Sequence, residues 1–230
     1  MSKYLWCEDS GSGYQFWNAL CKSLFPDITV ESKRNNSRLR IAVEKIQADE
    51  NDYYILMDAA ADNPDVIREY KRLQNNVSGK PNVHIISIHS FEFVLLSFRF
   101  LAQWVFAEQD DLLKKRHALL RASALLVMIV SNGGTANELS ELKEIILHVQ
   151  DINTEQIAAK LLYEITRNTG FETDKGSLGP CFFVDCCDWH GRQPNDLCGL
   201  EHNKISAHAK AENLVEYSVL KRALEGVGLI

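Results

Sequence analysis

Tyr4-Leu5-Trp6-Cys7-Glu8-Asp9-Ser10-Gly11-Ser12-Gly13 opens the chain with a short apolar run, two acids and a glycine-flanked turn. Tyr14 to Leu24 follows, with Phe16, Trp17, Leu20 and Leu24 recurring on one helical face. A buried strand, a tight loop and an amphipathic helix are therefore expected in that order. The same alternation continues. Asp27 to Glu31 has the pattern of a second strand, and Ser37 to Gln47 that of a helix with Leu39, Val43 and Ile46 on one side. Tyr53 to Met57 is a third strand ending at Asp58. Asn63-Pro64 opens a helix, since proline is tolerated in a first turn, and Val83 to Ile88 is a β-branched fourth strand. Strands separated by helices pair in parallel through right-handed crossovers, so the expected fold is α/β with a doubly wound, mostly parallel sheet.

From Ser90 the pattern becomes helical. Phe91 to Phe106 is almost wholly apolar, and Gln109 to Val130, Leu139 to Val149 and Thr154 to Thr166 have helical spacing. Phe171 to Asn203 is rich in Gly, Pro, Cys and Asp without periodicity, and a final helix is expected from about Lys204 to Leu224. Three segments result: an α/β domain over 1–105, a helical extension over 106–170, and an irregular Cys-rich module with its C-terminal helix over 171–230.

With 230 residues and 46% hydrophobic composition the chain can bury a sizeable core without disulfides, which excludes intrinsic disorder. Its longest apolar run, Ala122 to Val130, is far short of a spanning helix, and Met1-Ser2-Lys3-Tyr4 lacks a signal-peptide pattern. A cytoplasmic protein without membrane partners is expected. The formal charge of −6 excludes indiscriminate coating of nucleic acid. Basic pairs at Lys33-Arg34, Arg38-Arg40 and Lys114-Lys115-Arg116 could still steer a phosphate chain. His208 and Lys210, together with Lys204 and Lys175, could face the same path, although a solvated helix face is the simpler explanation.

In open α/β sheets functional groups gather beyond the carboxyl ends of strands. Here those ends carry Glu8-Asp9, then Asp58 with Asp62, then Ser87 to Glu92. Carboxylates brought into one small volume repel each other and are relieved by protonation or by a hard divalent cation such as Mg²⁺. Asp62-Asn63-Pro64 has a competing role as a helix cap, and Gly11-Ser12-Gly13 could present amides to a phosphate or be a plain turn.

The succession Leu5-Trp6-Cys7-Glu8-Asp9-Ser10-Gly11, Ile55-Leu56-Met57-Asp58 and Ser90-Phe91-Glu92-Phe93-Val94-Leu95-Leu96 resembles a TOPRIM domain, over roughly residues 3 to 100. It is most similar to the bacterial defence-associated branch. The resemblance implies Mg²⁺-dependent cleavage of nucleic-acid phosphodiesters in phage defence, with a protein partner in a defence complex. It implies Glu8 for proton transfer and Asp58 as a catalytic metal ligand; Asp62, two residues beyond the family's second aspartate position, would substitute for it if the loop bends back, and Glu8 and Glu92 complete the expected Mg²⁺ set. Asp9 replaces the family's usual glycine after the glutamate, and Ala60 stands where its second aspartate would be. A non-catalytic interaction or signalling module on a degenerate TOPRIM or receiver-like core uses the same acids. The receiver arrangement would group Glu8, Asp9, Asp58 and Ser87.

Four of the six cysteines fall in the C-terminal segment: Cys181, Cys186, Cys187 and Cys198, followed by His202. These are ligand types for structural Zn²⁺ at feasible loop spacings, and reduced thiols in a local core explain them too. Cys7 and Cys21 have the surroundings of small core residues.

Overall fold

In a computed structural model, which describes residues 1–59, 62–105, 110–132, 153–167, 169–187 and 204–230, the four expected strands form one parallel sheet. They are β1 (Lys3–Cys7), β2 (Ile28–Ser32), β3 (Asp52–Leu56) and β4 (Val83–Ile86), in the order β2-β1-β3-β4. Leu5 is in register with Val30 on one side and Tyr54 on the other, and Ile55 with Ile85. The chain leaves β1 toward one edge through α1 (Ser12–Leu24). It returns across β1 through α2 (Asn36–Glu44) and continues through α3 (Pro64–Val77). Right-handed crossovers in opposite directions put helices on opposite faces.

The two cores follow that division. Leu5, Cys7, Tyr54, Leu56 and Ile86 point toward α1 and its Phe16, Trp17 and Leu20. Ile55, Met57 and Val83 point the other way, against Leu39 and Val43 of α2 and Leu73 of α3. Alternation with period two sorts each strand between the layers. Each fully buried aliphatic side chain, Leu39 or Ile55 for example, contributes about 1.5–3 kcal/mol. α2 stops at Glu44, short of the expected Gln47, because Lys80 Nζ donates to the carbonyls of Val43, Glu44 and Ile46 at 2.7, 2.9 and 2.8 Å. A cation at a helix C-terminus satisfies the carbonyls that have no partner within the helix.

The helical half packs on the α1 face. Its elements are α4 (Phe91–Ser97), α5 (Leu101–Trp104), α6 (Asp110–Ser131), α7 (Thr154–Thr166), α8 (Ala207–Glu216) and α9 (Leu220–Glu225). The apolar stretch after Ser90 divides at Phe98, and the expected final helix divides at Tyr217. One cause explains both breaks. The Arg99 amide donates to the Tyr217 carbonyl at 2.9 Å, and the Val219 amide donates to Ser97 Oγ at 3.1 Å, so the two corners satisfy each other.

Lys204–Ile205 is not helical; it forms β6, antiparallel to β5 (Cys186–Cys187), and Ser206 caps α8. The segment expected at Leu139 to Val149 lies outside the described residues. The larger of the two cores runs from Leu5 through Leu126 and Leu161 to Leu224, crossing all three expected segments. Among the described residues no helix is long and apolar enough to cross a membrane.

Candidate carboxylate site at the strand ends

The sheet order reverses at β1, so a crevice opens between the carboxyl ends of β1 and β3. Glu8 directly follows β1 and Asp58 lies just past β3; the Asp58 amide donates to Glu8 Oε1 at 3.2 Å. The other oxygen, Glu8 Oε2, is buried with no hydrogen-bond partner. Glu92 enters from the first turn of α4, whose cap Ser90 accepts from the Phe93 amide. Glu155 enters from the first turn of α7. Glu8, Asp58, Glu92 and Glu155 line one cavity of about 440 Å³, with Arg34 and Lys175 also on its wall.

Burial dominates the titration of this cluster. It pushes Glu8 up to about 7 against the counteracting Asp58 amide, with Glu155 and Asp9 adding repulsion. Burial likewise raises Glu92 to about 7, opposed by its own amide and by Ser90. Asp58 is raised well above the usual carboxylate range by burial and then by the Glu8 and Glu92 charges. Glu155 is raised by burial and by Asp62. Adjacent acids of this kind hold protons between them near neutrality or accept a cation.

Asp9 sits beside the cluster but is already engaged. Its Oδ1 accepts the Gly11 amide at 2.8 Å and its Oδ2 the Gly13 amide at 2.7 Å. The amides that the sequence offered to a phosphate are thus taken by the neighbouring side chain. A Cβ at Gly13 would collide with that carboxylate and press on Phe91. One at Gly11 would meet the Lys175 carbonyl at 2.5 Å. The Lys175 turn is in turn docked on α1 by Gln15, whose amide donates to the Gly176 carbonyl at 3.1 Å and accepts from the Leu178 amide at 3.2 Å.

Asp62, expected as a partner of Asp58 on the metal, faces elsewhere. Its oxygens accept the Thr154 amide at 3.1 and 2.9 Å and the Thr154 hydroxyl at 2.7 Å. It ties the loop after β3 to the start of α7, while Asn63 caps α3 by accepting from Asp65 and Val66. Through that tie Asp62 carries Glu155 to the cavity, and Glu155 is the acid that the sequence reading missed. Asn153 and Gln156 form a capping box, a local signal that fixes where α7 begins but not which strand ends it approaches. Ala60 lies outside the described residues. Ser87 lines a different hollow, with His89 and Arg222.

Among the described residues no group of three or more His, Cys, Asp or Glu side chains is arranged to hold a metal ion. Mg²⁺, however, commonly uses one or two carboxylates, completing its shell with water and substrate phosphate. The Glu8 and Asp58 pair fits that smaller requirement: two hard oxygen donors, mutually repelling, with one buried oxygen unsatisfied.

Of the expected zinc ligands, Cys181 is partly buried and Cys186 and Cys187 form β5. Cys198 and His202 lie outside the described residues. Lys210 does not face solvent or a nucleic-acid path. It is 1% exposed, and its Nζ donates to the carbonyls of Cys181 and Val184 at 2.6 and 2.7 Å.

Comparison with protein-family models, with curated proteins and with solved structures finds no match to this chain.

Proposed function

We propose that the protein acts on nucleic acid as a TOPRIM-like, Mg²⁺-assisted phosphodiesterase, with Glu8 and Asp58 at the centre of its site. One observation carries this reading: buried carboxylates of raised proton affinity converge at the sheet's switch point, leaving Glu8 Oε2 without a partner. Bound between Glu8 and Asp58, Mg²⁺ would neutralise phosphate charge and activate water. Glu8, which burial pushes up to about 7 in the metal-free site, is the group placed to exchange a proton with an attacking or departing oxygen. Glu92 lines the same cavity and its charge acts on Asp58, while Arg34 and Lys175 draw a phosphate toward the acids. The bacterial defence role, with its protein partner, rests on the sequence resemblance. Structural Zn²⁺ on the Cys-rich segment would pin a stretch with few apolar residues, and elemental analysis of protein kept from chelators tests it.

A second reading has its own support. Ala60 in place of the family's second aspartate favours a scaffold that binds without cleaving. Incubation of the chain with single- and double-stranded DNA and RNA, with Mg²⁺ or Mn²⁺, separates the two. Metal-dependent cleavage that disappears in both Glu8→Gln and Asp58→Asn supports the enzyme. No cleavage of any substrate, or cleavage indifferent to both changes, overturns it in favour of the binding scaffold.

A further inference from the structure

The acidic cavity does not end at Glu92 and Glu155. A second hollow of about 520 Å³ begins at those two side chains and Lys175 and runs along α7 past Lys160 and Tyr163. α7 is two-sided. Ile157, Ala158, Leu161, Leu162 and Ile165 are buried, whereas Gln156, Lys160 and Tyr163 recur at four- and three-residue steps on the open side. Tyr163 is 39% exposed, a large ring left at the surface.

The two lysines of this hollow are not consumed in ion pairs: among the described residues neither Lys160 nor Lys175 has an ion-pair partner. The acid at the rim, Asp174, is turned into its own loop, accepting from the Gly176 and Ser177 amides at 2.8 Å each and from the Ser177 hydroxyl at 3.1 Å. Two free ammonium groups and one exposed aromatic ring therefore converge on a channel that leads to the carboxylates.

A chain of alternating phosphates and flat bases matches that combination. A duplex does not, because its base faces are already stacked on each other and are closed to Tyr163. Resting on the phosphodiesterase reading of the inner cavity, we infer that the outer hollow is the approach track for a single strand of DNA or RNA. Lys160 and Lys175 hold backbone phosphates, Tyr163 stacks on a base, and the strand passes Glu92 and Glu155 to reach Glu8 and Asp58.

Fluorescence anisotropy with labelled oligo(dT), oligo(U) and a short duplex, all in EDTA, tests the track without requiring cleavage. At least one single strand is expected to bind more tightly than the duplex, and the comparison of oligo(dT) with oligo(U) separates DNA from RNA. Tyr163→Ala should weaken binding about ten-fold, whereas Tyr163→Phe, which keeps the ring, should not. Lys160→Gln and Lys175→Gln should each flatten the dependence of log affinity on log salt by about 0.7. Preference for duplex, no binding of either single strand, or unchanged binding in the Tyr163→Ala and lysine variants overturns the track. Strand binding without metal-dependent cleavage removes only the catalytic reading. Cleavage by a chain whose Tyr163→Ala and lysine variants bind like the parent removes only the track.

Discussion

Glu8 concentrates the chemistry of the site in one side chain. It and Glu92 ordinarily titrate near 4.5 and are pushed up to about 7 in the fold. Between those values the folded chain holds protons that the unfolded chain has released. Stability therefore falls as pH rises through that window, and lies fully on the favourable side below it. Thermal midpoints measured across it should decline with pH, and Glu8→Gln, which keeps the protonated shape, should flatten the decline. Each kcal/mol recovered at the alkaline end raises the midpoint by about 2–4 °C in a chain of this size. Addition of Mg²⁺ above the window should raise the midpoint of the parent and not that of a Glu8→Gln, Asp58→Asn double variant. Parallel pH profiles for the parent and Glu8→Gln, or an equal Mg²⁺ response in the double variant, would refute a protonated, cation-accepting cluster. The acidic character of Glu8 and Asp58 was legible from strand-end position alone. That Asp9 would be engaged by two glycine amides was not, because Glu8-Asp9 looks symmetrical until the backbone turns at Gly11.

At the scale of elements, α7 is held by what lies before it in space rather than in sequence. Asp62 adds three hydrogen bonds to Thr154 at a helix start that Asn153 already caps. Asp62→Ala should cost about 1–2 kcal/mol, the worth of a strong N-cap, and should loosen Glu155 without removing the Glu8 and Asp58 pair. Denaturant unfolding checks the stability loss. If cleavage is found, Asp62→Ala should retain a measurable part of it while Asp58→Asn does not; equal abolition would make Asp62 a member of the site itself. The strands and the first three helices were readable because each carries its own period of two or of 3.6. The breaks at Phe98 and Tyr217 were not, since neither contains a proline or glycine. They exist because Ser97 and Arg99 bond the distant corner at Tyr217 and Val219.

Across the whole molecule the C-terminal helices close the core that the first strand begins. Ala211, Leu214, Val215, Leu220 and Leu224 share one cluster with Leu5 and Phe16. Lys210 fastens α8 to the segment over Cys181 and Val184 from inside, where an ammonium bonded to carbonyls replaces apolar contact. Lys210→Ala leaves both carbonyls without that donor and should destabilise the fold by about 2–3 kcal/mol. Chemical denaturation followed by far-UV circular dichroism and by tryptophan fluorescence should show one shared transition, shifted in Lys210→Ala. Separate transitions in the parent would indicate independently folding segments.

The order of elements, the parallel sheet and the gathering of Glu8 and Asp58 at its carboxyl edge follow from local periodicity and from the handedness of crossovers, and both are present in the residues themselves. Which acids share a cavity was decided by tertiary structure. Asp62 turns to Thr154 and Glu155 takes a place beside Glu8, because helix packing over long sequence distances aims these side chains and no spacing in the chain encodes the direction. Lys210 makes the same point in reverse. By composition it is a surface cation, and only the closing of α8 over Cys181 and Val184 buries it, since carbonyls from a distant segment supply the partners that water would otherwise provide.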